Sequence, residues 1–225
     1  MKKYSVAIDG PAGAGKSTIA KMLAKELGFY YVDTGAIYRT LGYFMDLIGI
    51  GPKDIDGISR MIDEVVIEIE YDEDGSQHMF MNEIDVTDDI RTPEMSKIAS
   101  AISAHKIVRD RLLDMQRDVA RKHNVIMDGR DIGTVVLPRS DVKFFLTASP
   151  EVRAKRRYDE LQAKGSRDSY DKVLQDIIQR DYNDSHRAVA PLKQTKKHIL
   201  VDTSDMTIEQ VLQTMKEIVT EKCGL

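Results

Sequence analysis

The residues with the clearest chemistry lie near the N-terminus. Gly10, Pro11, Ala12, Gly13, Ala14, Gly15, Lys16, Ser17 and Thr18 satisfy the pattern G-x-x-x-x-G-K-S in full. Polyphosphates present closely spaced oxygens that need several donors converging on them. Glycines let the backbone fold tightly enough for successive N–H groups to point inward, and a helix beginning at the lysine adds its positive end. Lys16 supplies a charge for β and γ phosphates, and the Ser17 hydroxyl can ligate Mg²⁺. The chemistry is that of a nucleoside triphosphate. A GTPase switch would also need a guanine-reading N-K-x-D, and a transport ATPase a segment such as L-S-G-G-Q. The sequence contains neither, and its one D-x-x-G, Asp72 to Gly75, falls at a turn. Phosphoryl transfer to a small acceptor is the leading class.

Residues for an acceptor follow in three groups. Asp33-Thr34-Gly35 ends a short apolar run, with Arg39 on the helix expected next. In an open parallel sheet ligands sit beyond the carboxyl ends of the strands, so Thr34 and Arg39 should face the crevice of the phosphate loop and hold an acceptor phosphate. The plain alternative makes Asp33 a cap and Arg39 a surface charge. Aspartic proteases also use D-T-G, but they pair two such aspartates on a β-rich fold. Asp128-Gly129-Arg130-Asp131 ends another apolar run. Asp128 is the candidate for holding Mg²⁺ through its waters, and Asp131 reaches further toward the acceptor; taken alone, the quartet could be a charged turn. The third group is an arginine-rich segment, residues 153–187, with nine Lys/Arg against seven Asp/Glu. Arg153 and Arg157 share a helix face, as do Arg180 and Asp184. Exposed pairs at that spacing contribute only about 0.3–0.5 kcal/mol, so stability does not call for so many arginines. A transferring phosphoryl group does, and a closing lid that excludes water would present them.

These residues need a scaffold. Brief β-rich runs at Ser5–Asp9, Tyr30–Val32, Val125–Asp128, Lys143–Thr147 and Ile199–Val201 read as strands. A helix should follow Ser17, with Ile19, Leu23 and Leu27 on one face and Gly28 as C-cap. Others run from about Pro93 to Lys122, in one piece or two, from Ser149-Pro150 to Gly165, and from Thr207, where Gln210 closes a capping box. Strands alternating with helices predict a parallel sheet with helices on both faces. Residues 65–86 instead alternate with period two around Asp74-Gly75, which predicts an antiparallel hairpin standing outside that sheet.

Composition bounds the rest. The chain has 225 residues with 33 Lys/Arg, 37 Asp/Glu and a net charge of −4, which excludes a global pull toward nucleic acid or an anionic membrane. A hydrophobic share of 42% reads as one globular domain. No apolar run approaches the roughly 18 residues of a membrane span, and the N-terminus lacks a signal-peptide apolar region, so the expected address is the cytoplasm. The lone Cys223 excludes a disulfide framework and reads as an incidental tail residue. No heptad suggests assembly, so a monomer is expected.

Five stretches in order, GPAGAGKST, DTGAIYR, the run from IRTPEMSKIAS to VR at 108–109, MDGRDIGTVV and RDYNDSHRAVAP, resemble the bacterial cytidylate kinases over residues 4 to about 220. The resemblance implies a P-loop NTPase fold: an α/β domain with a five-stranded parallel sheet flanked by helices. A small antiparallel β insert would sit in an NMP-binding region at about 34–105, with a helical lid at about 151–187. It implies transfer of the γ-phosphoryl of ATP to CMP or dCMP with Mg²⁺. In that reading Thr34 and Arg39 hold the acceptor phosphate, and Ser100, Arg109 and Asp131 read cytosine. Asp184, Arg187 and Arg180 reach ribose and phosphate. Lys16, Arg153, Arg157 and Arg180 act in transfer, and Ser17 and Asp128 serve the metal. A P-loop kinase of another small acceptor and a nucleotide-binding switch without transfer activity are the competing readings.

Overall fold

The computed structural model describes residues 2–225. Five strands, β1 (Ser5–Asp9), β2 (Tyr30–Asp33), β6 (Val125–Gly129), β7 (Val142–Thr147) and β8 (Ile199–Asp202), form one sheet in the order β2-β6-β1-β7-β8. All four pairings are parallel, with Asp9 opposite Gly129 and Asp33 opposite Asp128, so these strand ends lie at one edge. The strands are short and β-branched, and each stops at an acidic or small residue.

The sheet is buried on both faces because its side chains alternate between two cores. Ala7, Val32, Val125 and Met127 pack with α2 (Thr34–Leu47), α4 (Pro93–Ile102) and α5 (Lys106–Lys122). Val6, Ile8, Ile126, Phe144 and Leu146 pack on the other side with α1 (Lys16–Leu27) and α8 (Ile208–Cys223). Cys223 belongs to this second core, 7% exposed, and so is packed rather than incidental. The expected capping box is present, with Thr207 N donating to Gln210 Oε1 at 2.9 Å and Gln210 N to Thr207 Oγ1 at 3.2 Å. Gly28 ends α1 with φ 65.

The segment after residue 92 is two helices, as the two-piece reading allows, with a turn at Ser103–His105 between them. Two features differ from the sequence expectation. A short α3 (Ile55–Met61) intervenes before the insert, and its seven residues, including Gly57, offer too little periodicity to read. The hairpin of β3 (Ile67–Tyr71) and β4 (Gln77–Met81) gains a third strand, β5 (Ile84–Asp85), only two residues long. The turn at Asp74-Gly75 is as expected, with Gly75 at φ 82. The sheet of β3, β4 and β5 lies outside the parallel one, docked on the end of β2: Tyr71 Oη donates to Tyr31 O at 2.9 Å, and Asp33 N donates to Gln77 Oε1 at 2.7 Å.

Finally, α6 (Pro150–Ala163) and α7 (Tyr170–His186) form a hairpin with a small core of Ala154, Val173 and Ile177 of its own.

Candidate active site

The phosphate loop joins β1 to α1, as its glycines require. Gly10 has φ 151, and a Cβ there would meet Leu146 O at 1.9 Å, so no other residue fits the approach to β7. Lys16 is 5% exposed, and its Nζ donates to Pro11 O at 2.7 Å. Burial, reinforced by the charge of Arg130 and opposed by Asp128, lowers its pKa to about 7. An arriving phosphate would restore the full positive charge.

Two clefts open on either side of Lys16 and Ser17, and both residues line both. The first, of about 420 Å³, continues along Thr18, Arg156, Thr203, Met206 and Ile208. The second, of about 300 Å³, is walled by Thr34, Arg39, Ser100, Arg109, Asp128, Asp131, Arg180, Asp184 and Arg187, so the expected acceptor residues converge there from five separate segments.

Where the end of β6 meets the phosphate loop, Ser17 Oγ donates to Asp128 Oδ2 at 2.9 Å, and Tyr31 Oη donates to Oδ1 at 2.9 Å. Burial, then the nearby Asp33 charge, raises the Asp128 pKa to about 6, against the pull of Lys16. Thr34 Oγ1 donates to Asp128 O at 2.8 Å, so its hydroxyl is bound to the backbone rather than free. Arg39 pairs with Asp33 at 2.9 Å, while Asp33 also caps α2 by accepting from Ala36 N at 3.0 Å. The cap reading of Asp33 and the cleft reading of Arg39 therefore hold together.

Deeper in the cleft Asp131, 4% exposed, ion-pairs with Arg109 and with Arg187, the latter at 3.2 Å. Burial raises its pKa even though both arginines oppose the rise. Arg187 also donates to Ser103 Oγ at 3.3 Å and Ala190 O at 2.8 Å. Ser100 lines the cleft beside them. Tyr38 packs under Arg109, 5.6 Å from guanidinium carbon to ring centre. It is a wall that no motif reasoning singled out.

The arginines divide into two kinds. Arg180 faces the cleft with its Nε buried and without a partner, and burial followed by the charge of Arg130 lowers its pKa to about 10, with Arg39 and Arg157 adding to the effect. Arg130, inside D-G-R-D but given no role by the sequence, lies in the same group, its Nε bonded to Asp184 at 2.7 Å. Burial disfavours the Asp184 carboxylate, but Arg130 and Arg180 outweigh it and hold the pKa low. Arg157 lines the neighbouring space between α4 and the α6–α7 hairpin, paired with Glu160 at 3.1 Å.

Arg153 is the departure. It was expected to meet the phosphoryl group, yet it is 3% exposed and fully engaged. It donates to Ala148 O at 2.9 Å, to Ala12 O at 3.0 Å, and to both oxygens of Asp181 at 3.1 and 2.6 Å. It is a strut between the phosphate loop and α7. A bidentate guanidinium–carboxylate pair 28 residues apart leaves no local sequence signal.

Comparison with known proteins agrees with this geometry. The family model described as cytidylate kinase matches residues 6–221. A cytidylate kinase from Caldicellulosiruptor saccharolyticus is 46% identical over 224 residues, covering 100% of this chain and 99% of that protein. One from Halalkalibacterium halodurans is 44% identical, covering 99% and 100%. A solved structure of an uncharacterized protein from Eubacterium ventriosum shares the fold at TM-score 0.54 and 11% identity, covering 96% of this chain and 98% of that one. A match of this length and identity, on a chain whose phosphate loop is intact, places it: the chain belongs to the cytidylate kinase family.

Proposed function

We propose that this chain transfers the γ-phosphoryl group of ATP to CMP or dCMP, giving ADP and CDP or dCDP. The observation that carries the proposal is that two clefts share Lys16 and Ser17 as a common wall. A donor along the phosphate loop and an acceptor against Asp131 would meet over those residues. The partnerless Nε of Arg180, among Arg39, Arg130 and Arg157, adds support, since crowded cations are relieved by a phosphoryl anion.

In this reading Lys16, Arg180 and Arg157 meet the transferring group, and Thr34 and Arg39 take the acceptor phosphate. Ser100, Arg109 and Asp131 read the base, and Asp184 and Arg187 take ribose and phosphate. Cytosine offers an amino donor and two acceptors, complementary to a carboxylate, a hydroxyl and a guanidinium. Uracil would set a carbonyl against Asp131, a loss of about 1–3 kcal/mol. Arg153 acts by fixing the loop to α7. The α6–α7 segment within 151–187 serves as the lid, and 34–105 as the acceptor-binding region.

Mg²⁺ suits the corner of Ser17 and Asp128. Among the described residues no group of three or more His, Cys, Asp or Glu is placed to hold a metal alone. A nucleotide-borne Mg²⁺ needs only one or two protein oxygens beside phosphates and water, and there it would neutralise phosphate charge. Among the described residues no helix is long and apolar enough to cross a membrane. A cytoplasmic monomer is part of the same proposal.

Coupled measurement of ADP formation with CMP, dCMP, UMP and AMP tests the proposal. CMP and dCMP are expected to exceed the others, and UMP or AMP matching CMP would overturn it.

A further inference from the structure

Asp9 and His198 are buried ionisable side chains that the transfer chemistry does not use. Asp9 is 0% exposed at the end of β1, and His198 lies before β8, 189 residues away. Asp9 Oδ1 accepts from Ile132 N at 2.6 Å, and Oδ2 accepts from Gly133 N at 2.8 Å. His198 Nε2 lies 3.1 Å from the same Oδ2. The other ring nitrogen fixes the tautomer: Thr195 N donates to Nδ1 at 3.1 Å and the Thr195 hydroxyl lies 2.9 Å from it, so Nδ1 is an acceptor and Nε2 carries the hydrogen that Asp9 receives.

The two amides that Asp9 holds immediately follow Asp131. They open the five-residue π-helical turn Ile132–Val136, a form that local propensity does not favour. Arg117 pins the far end of the turn, donating to Val135 O and Val136 O at 3.0 Å each, and Lys143 Nζ adds a bond to Gly133 O at 2.8 Å near its start. Only glycine fits at 133, since a Cβ there would meet His198 Nε2 at 2.9 Å and Asp9 Oδ2 at 3.2 Å. The peptide plane that Asp9 grips through Ile132 N also carries the Asp131 carbonyl. Its orientation therefore sets the direction in which the Asp131 side chain leaves the backbone.

We infer that Asp9 and His198 are positioning residues for acceptor specificity, a buried couple that aims the Asp131 carboxylate at the acceptor base through the backbone of Ile132 and Gly133. The inference rests on the proposed role of Asp131 in reading cytosine. Neither residue lines the acceptor cleft, so their influence runs through the backbone. Removing the His198 donor leaves the Asp9 carboxylate one partner short and free to turn, and the Asp131 peptide turns with it. Misplacing a recognition group by a fraction of an ångström is felt in substrate discrimination before it is felt in folding.

The test compares wild type, His198→Leu and His198→Gln, reading KM for ATP, KM for CMP and the CMP-to-UMP ratio of kcat/KM. The Gln amide restores an N–H close to the Nε2 position. His198→Leu should raise the KM for CMP and lower the CMP-to-UMP ratio by roughly tenfold each, with the KM for ATP within twofold; His198→Gln should recover most of both. Should His198→Leu not fold, Thr195→Val with His198→Gln gives the same comparison, the valine variant weakening the anchor and shifting the ratio in the same direction. An unchanged ratio in a folded His198→Leu, equal changes for ATP and CMP, or no rescue by glutamine overturns the inference. A wild type that does not prefer CMP to UMP would instead overturn the proposed function.

Discussion

The two clefts beside Lys16 are built from different materials. The donor side of the proposed reading takes most of its lining residues from one run, residues 13–19, and the shape of that run follows from glycine freedom and a helix start. The acceptor side is built from side chains that five distant segments deliver to one place. The comparison teaches that a backbone site is written locally, whereas a side-chain site depends on the fold to assemble it and on charges that balance only when a ligand arrives.

The largest effect that could break this contrast is at Arg180. Arg180→Ala should lower turnover by about 10³-fold while the free protein's Tm stays level or rises, because one of several crowded cations is removed. Steady-state kinetics with thermal unfolding checks both, and a loss of less than threefold would remove Arg180 from the transfer chemistry. Next is Asp131→Asn, whose amide donates as well as accepts. The CMP-to-UMP ratio of kcat/KM should fall by about 10–100-fold, and Tm should also drop because Arg109 and Arg187 lose their partner. An unchanged ratio would remove Asp131 from base reading.

The smallest effect concerns Lys16 and pH. Its folded pKa, about 7, lies below the ordinary 10.5. Between those values the unfolded chain holds the proton that the folded chain has released, so the contribution of Lys16 to stability rises with pH across that window. Below about pH 7 both states are charged and the burial cost is present in full. The Tm of wild type relative to Lys16→Met should therefore rise from pH 7 to 10, and saturating ATP should flatten the trend. A falling difference would contradict the assigned shift.

How much could be read beforehand divides along the same line. The strands, the capping box at Thr207 and the turn at Gly75 follow from patterns within a few residues, and the sequence shows them. So does the phosphate loop. The convergence of Thr34, Arg39, Arg109, Asp131 and Arg187 was legible through five ordered motifs, not through their periodicity. The bonding of those residues was not legible. Arg153 sits four residues from Arg157 on one helix, yet Asp181 and the loop carbonyl capture the first while the second stays near the cleft. Asp33 meets Gln77 across 44 residues, and Asp9 meets His198 across 189. Each is a contact of tertiary origin, and one sequence has no period or spacing that announces it.

The place of β1 has one more consequence. It is paired on both sides, with β6 and β7, so its amides have no edge from which to fray and should exchange with solvent only when the whole domain opens. The hairpin of α6 and α7, resting on a small core of its own, should exchange far sooner. On that expectation the phosphate loop is rooted in the slowest-exchanging part of the molecule, while Arg157 and Arg180 are carried by a much faster one.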